Sequence, residues 1–215
     1  MRRYDIVFFD FDGTLVDTIP DITYHVNAVL TDLGFTPRSL EQVRAAVGKG
    51  MHQLLRELCP DLRGDADALA RAAVHLKHLY ATQPVVHSRL YQGVREALLK
   101  SGGPAKVVLT NKLEVLADTI LRHFGIRDRF ERVIGDGGAY PLKPDPTAIL
   151  SILRDHNVAP TRAMLIRDSQ VDLKAAQAAG VAFGWAAYGY EISAPDVPGL
   201  VRFDRPGDWE PLMCP

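Results

Sequence analysis

Cysteine is nearly absent from this chain. Cys59 and Cys214 are the only two in 215 residues, they lie far apart, and no CxxC occurs. That excludes a disulfide framework and makes a reducing cytoplasm the expected home. Long apolar runs are also missing. No stretch approaches the ~20 apolar residues that span a bilayer. After Met1-Arg2-Arg3-Tyr4-Asp5 the apolar run 6–9 is too short for a signal-peptide core. A soluble, non-exported protein with no membrane partner is expected. Charge of one sign is not in excess: 25 Lys and Arg face 26 Asp and Glu, a formal net charge of -1. Nothing electrostatic therefore recommends nucleic acid or an anionic membrane as the main partner. Internal repeats and low-complexity tracts are absent as well.

What is present is ordinary globular composition, 47% hydrophobic and 24% charged. The length suits one large domain, or a core domain with a smaller insert. Tyr4-Asp5-Ile6-Val7-Phe8-Phe9 is a continuous apolar run rich in β-formers, as expected of a strand buried on both faces of a parallel sheet. Residues 18–80 then read as helices only, over 21–33, from Ser39, over 51–58 and over 65–80. From about His87 strands and helices alternate. Strands are expected at 106–109, 132–134, 163–166, 182–187 and 200–203, with helices at 113–124, 146–155 and 172–179. Repeated strand–helix units imply an α/β fold, a Rossmann-like parallel sheet covered by helices on both faces. The all-helical segment 16–87 is an insertion; 1–15 and 88–215 form the core.

In such sheets ligands bind beyond the carboxyl ends of the strands. After the first strand come Asp10, Asp12, Gly13 and Thr14; after the second, Thr110 and Asn111; after the third, across a loop, Lys143; after the fourth, Asp168 and Asp172. Carboxylates, a hydroxyl, an amide and an ammonium thus gather on one sheet edge, an inventory for holding a cation and a phosphate together. Carboxylate oxygens suit Mg²⁺, and Lys143 offsets phosphate charge. Asp10 is placed to attack phosphorus and form a covalent acyl phosphate. Asp12 is placed to protonate the leaving oxygen and later deprotonate water. Gly13 leaves the backbone free to turn its N–H groups toward phosphate oxygens.

Asp10-Phe11-Asp12-Gly13-Thr14-Leu15-Val16 resembles the first motif of the haloacid dehalogenase superfamily. Val108-Leu109-Thr110-Asn111, Lys143-Pro144-Asp145-Pro146 and Asp168-Ser169-Gln170-Val171-Asp172 follow in that family's order. The helical insertion sits where the family carries its type-1 cap. Within the family, residues 16–22, Val47-Gly48-Lys49-Gly50 and Thr110-Asn111-Lys112 most resemble phosphoglycolate phosphatases. The resemblance implies Asp10 as nucleophile, Asp12 as acid and base, and phosphate contacts from Thr110 and Lys143. It implies Mg²⁺ held by Asp10, the Asp12 carbonyl and Asp168, with Asp172 in support.

Structural readings stand beside these. A DxDG string also makes a turn. Asn111 could cap the following helix instead of meeting substrate. Asp145 and Pro146 make a sound helix start and are read structurally. Asp172 lies in the first turn of a helix, where acids are favoured anyway. Lys49, in its Gly-Lys-Gly loop, leans toward substrate contact; His52 and Arg56 are read as solvated surface. His75 and His78 lack a third ligand, and Trp185 and Trp209 are read as core or its rim.

One residue departs from the family pattern. Arg167 stands where Gly usually precedes Asp168. Pointing away from the site it changes little, since adjacent strand residues face opposite sides. Turned inward it pairs with Asp168 and weakens Mg²⁺ binding, or contacts the substrate phosphate.

The expected function is hydrolysis of a small phosphate ester, 2-phosphoglycolate before sugar phosphates, nucleotides or pyrophosphate. A sugar phosphomutase and a catalytically weakened phosphate-binding module are the alternatives. A dehalogenase is disfavoured, because carbon–halogen cleavage needs no leaving-group acid and Asp12 would have no task.

Overall fold

A computed structural model describes residues 4–99, 103–191, 194, 196–197 and 200–213; Cys214 lies outside them. The chain divides into two units, one of Met1–Asp17 with Leu90–Pro215, the other Thr18–Arg89.

The strands are β1 (Ile6–Phe9), the two-residue β2 (Val16–Asp17) and β3 (Arg89–Leu90), β4 (Ala105–Leu113), β5 (Arg132–Asp136), β6 (Ala163–Arg167), β7 (Ala182–Ala186) and β8 (Val201–Phe203). Six of them form one sheet, ordered β5-β4-β1-β6-β7-β8, with every pairing parallel. The α/β architecture expected from strand–helix alternation is therefore present. β1 lies inside the sheet between β4 and β6, which explains its unbroken apolar run: all four residues are buried.

Side chains alternate across that sheet. Ile6 and Phe8 join Val107, Leu109 and Leu165 in a core closed by Ile149, Ile152, Ala175 and Ala176. Those last four belong to α7 (Thr147–Asp155) and α8 (Gln170–Ala179). On the opposite face the Phe9 ring meets Phe130 and Trp209 at centroid distances of 6.0 and 5.1 Å. Trp185 and Trp209 are both core residues.

The helical unit contains α1 (Ile19–Asp32), α2 (Leu40–Ala46), α3 (Met51–Leu58) and α4 (Ala66–Thr82). Apolar residues at helical spacing, Ile22, Val26, Val29 and Leu30 on α1 with Leu76 and Tyr80 on α4, are buried. Ser39 and Gln42 form a reciprocal capping box that starts α2. The Asp21 carboxylate accepts from the N–H groups of Val86, His87 and Ser88, tying the end of this unit to its beginning.

Besides β2 and β3, which were not expected and of which β2 lies inside the segment read as all-helical, three features differ from the sequence reading. β4 runs to Leu113, four residues past the expected end, because its pairing with β5 resumes after an irregularity between Leu109 and Leu113. α5 (Val94–Leu98) and α9 (Glu210–Met213), each too short to display a helical period, were not expected. α6 (Glu114–His123) begins where expected, but its cap position is Leu113, with no side-chain cap bond.

Candidate active site

Asp10 follows the last residue of β1. Its N–H donates to Ile166 O at 3.1 Å, carrying the sheet pairing one residue beyond the strand. The chain then turns tightly: the N–H groups of Thr14, Leu15 and Val16 all point at Phe11 O, and Gly13 N–H donates to Val16 O at 3.0 Å. Gly13 sits at φ +82°, and a Cβ there would lie 2.3 Å from Asp168 Oδ2. Only glycine permits both the left-handed turn and that approach.

Lys143 arrives from the loop after β5 and is buried. Its ammonium donates to Asp10 Oδ1 at 2.7 Å and Leu109 O at 2.6 Å, and lies 2.7 Å from Asp172 Oδ1. Asn111 fixes that loop. Asn111 Nδ2 donates to Lys143 O at 3.0 Å, and Lys143 N–H donates to Asn111 Oδ1 at 2.9 Å. The capping alternative for Asn111 is thus replaced by a clamp on the Lys143 backbone. Thr110 is buried beside it, its hydroxyl accepting from Lys112 N–H at 3.1 Å. Asp145 does serve the helix start, its carboxylate accepting from Thr147 N–H at 2.8 Å.

Asp168 follows β6, and Asp172 lies in the first turn of α8; both are buried. Arg167 turns inward. Its Nε lies 3.1 Å from Asp10 Oδ2 and 3.5 Å from Asp168 Oδ1, and its Nη1 lies 2.5 Å from Asp172 Oδ2. The cluster is therefore Asp10, Asp168 and Asp172 around two buried cations. Burial pushes the Asp10 carboxyl above its usual range, against the pull of Arg167 and Lys143. Asp168 is raised to about 6, chiefly by burial, although Arg167 and the Tyr190 N–H act against it. At Asp172 burial acts upward too, but Arg167 and Lys143 outweigh it and hold the group below the usual carboxylate range. Burial disfavours the Arg167 charge, yet Asp10, Asp172 and Asp168 more than compensate, so it stays a cation.

Asp12 pairs with Lys112, Nζ to Oδ1 at 3.2 Å, with the ammonium 5.8 Å from the Phe11 ring centroid. Lys112 ends the Thr110-Asn111-Lys112 motif, and its place two residues past Thr110 is the sequence signal for this contact. The loop after β7 was missed altogether. Tyr190 N–H donates to Asp168 Oδ2 at 2.5 Å, and a Cβ on Gly189 would meet the same oxygen at 2.5 Å. Tyr188 OH donates to Thr14 O at 3.0 Å. The signal for this loop was its place: it leaves the carboxyl end of the fifth sheet strand, where the other four strands carry their site residues.

Lys49 belongs to the helical unit, where it pairs with Glu57 at 3.2 Å and is 58% exposed. His75 pairs with Asp32 at 3.4 Å, and His78 is exposed.

The family model described as haloacid dehalogenase-like hydrolase matches residues 7–186. A phosphoglycolate phosphatase of Nitrosospira multiformis is 36% identical over 189 residues, covering 86% of this chain and 83% of its own length. One from Pseudomonas putida is 36% identical over 208 residues, covering 93% and 76%. The chain belongs to the haloacid dehalogenase-like hydrolase family. Among solved structures, a predicted phosphoglycolate phosphatase from Haemophilus somnus superposes with a TM-score of 0.88 at 28% identity, covering 97% of both chains.

This haloacid dehalogenase-like hydrolase has the donor chemistry for Mg²⁺: buried carboxylates of Asp10, Asp168 and Asp172, and the Asp12 carbonyl as a further oxygen. The fit is one of chemistry. In arrangement, no group of three His, Cys, Asp or Glu among the described residues stands ready to hold a metal ion. The acids turn their oxygens to Arg167 and Lys143 instead.

Proposed function

We propose that this chain is a phosphomonoester hydrolase working through an aspartyl-phosphate intermediate, with 2-phosphoglycolate as its substrate. The observation that carries the reading is Asp10 at the carboxyl end of an internal sheet strand, one carboxylate oxygen 2.7 Å from the buried Lys143 ammonium. The names of the relatives support the substrate.

An Asp10 carboxylate oxygen attacks phosphorus while the ester P–O bond breaks. Asp12 gives its proton to the departing alkoxide. Water then attacks the phosphorus of the acyl phosphate, Asp12 takes the water's proton, and inorganic phosphate leaves the restored Asp10 carboxylate. Lys143 offsets charge on the phosphoryl oxygens throughout. Thr110 contributes a hydroxyl; the N–H groups of Gly13, Thr14, Leu15 and Val16, expected from the sequence at those oxygens, are instead used within the turn on Val16 O and Phe11 O. Asn111 holds the Lys143 loop in place. Lys112 keeps a positive charge beside Asp12. Asp10, the Asp12 carbonyl and Asp168, with Asp172 in support, would hold Mg²⁺, which would supply neutralisation of phosphate charge.

A screen of phosphate esters with Mg²⁺, run beside Asp10→Asn and Asp12→Asn, tests the reading. Phosphate release from 2-phosphoglycolate that both substitutions abolish is expected. Full activity in Asp10→Asn would refute the nucleophile, and conversion to an isomeric sugar phosphate without release would point to a mutase.

A further inference from the structure

Arg167 ends β6 and pairs in register with Trp185 of β7. A buried guanidinium is costly unless its charge is met. Here three carboxylates meet it: Asp10 at 3.1 Å, Asp168 at 3.5 Å and Asp172 at 2.5 Å. These are the same acids to which the proposed function assigns the divalent cation. Mg²⁺ demands oxygens at about 2.1 Å in a near-ideal octahedron. The Arg167 Nε already pairs with Asp10 Oδ2 and Asp168 Oδ1, two oxygens of the expected ligand set.

Charge balance argues in the same direction. Three ionised acids against Arg167 and Lys143 leave one negative charge. A divalent ion added to that set makes the buried cluster net positive. Exchanging the ion for Arg167 makes it neutral. Lys143 can stay through the exchange, because its contacts use Asp10 Oδ1 and Asp172 Oδ1, whereas Arg167 takes the Oδ2 atoms of both.

We infer that Arg167 is the resident cation of this cluster and that a divalent ion binds only by displacing it. Arg167 is then a positioning residue. It holds the acids together in the metal-free protein and sets the concentration at which Mg²⁺ takes over. The inference rests on the metal-dependent reading above, and its test uses binding without substrate, so that the two fail separately.

Calorimetric Mg²⁺ titrations of the wild type, Arg167→Met and Arg167→Gly measure the competition directly. Midpoints lower by about tenfold or more in both variants are expected, the range typical for changes around a metal ligand. Midpoints equal to the wild type, or no binding in any of the three, would overturn the inference. If the variants do not fold, the Arg167 Nε–H resonance of the wild type decides. A signal protected from solvent exchange without metal, and released at saturating Mg²⁺, supports displacement; one unchanged at saturation refutes it. Displacement observed without phosphate release from any ester would defeat the phosphatase reading and leave this inference standing.

Discussion

At the scale of single residues, the site is held by contacts that tolerate little change. Gly13 combines φ +82° with a 2.3 Å approach of any added Cβ to Asp168 Oδ2. Gly13→Ala is expected to lower stability by more than ~1 kcal/mol and to displace Asp168. Calorimetry should then show weaker Mg²⁺ binding; an unchanged melt and midpoint would contradict this. In the helical unit, Asp21 accepts from three backbone N–H groups. Burial acts to raise its carboxyl, but the Ser88 hydroxyl and the N–H groups of His87, Ser88 and Val86 outweigh it and hold the group below 3.8. A depressed folded value means the stabilisation is fully present above the unfolded value and is lost as pH falls through the folded one. Asp21→Ala is expected to cost about 3 kcal/mol at neutral pH. In urea melts the gap to the wild type should narrow below pH 3.8. A gap constant across that window would contradict the assignment.

At the scale of elements, the strand ends do the positioning. β1 delivers Asp10, β6 delivers Arg167 and Asp168, and the loop after β5 delivers Lys143, anchored by Asn111 on β4. Asn111→Ala removes both bonds to the Lys143 backbone while leaving every proposed reacting group present. Loss of positioning alone is expected to lower kcat by about 100-fold, with a melting change far too small to explain it. Unaltered kcat would show that the clamp is unimportant. These ends were legible in the sequence because apolar runs buried in a parallel sheet stop abruptly where polar residues begin. The loop that carries Gly189 and Tyr190 was not legible. Its role lies in a contact 22 residues away in the chain, through a backbone N–H that no residue type reveals. The orientation of Arg167 was open for a related reason. Strand alternation argues about a side chain's face, whereas a buried guanidinium at a strand end goes where uncompensated acids are.

At the scale of the whole molecule, six strands and their order along the chain were readable from apolar runs and turn residues. Their order in the sheet, with β1 between β4 and β6, was not, because register and neighbours depend on pairings distant in sequence. That order puts Asp10 next to Asp168 on one side and the Thr110–Lys112 stretch on the other. The same internal position makes β1 the centre of the core. Phe8→Ala is expected to cost about 3–5 kcal/mol in denaturant melts, and a loss under ~1 kcal/mol would argue against the packing described. The central claim is that Asp10 becomes covalently phosphorylated. Mass spectrometry of the wild type, quenched during turnover of 2-phosphoglycolate with Mg²⁺, tests it most directly. A phosphoryl group on the peptide carrying Asp10 is the predicted result. Phosphorylation of another residue, or continued phosphate release with Asp10 never modified, would contradict it.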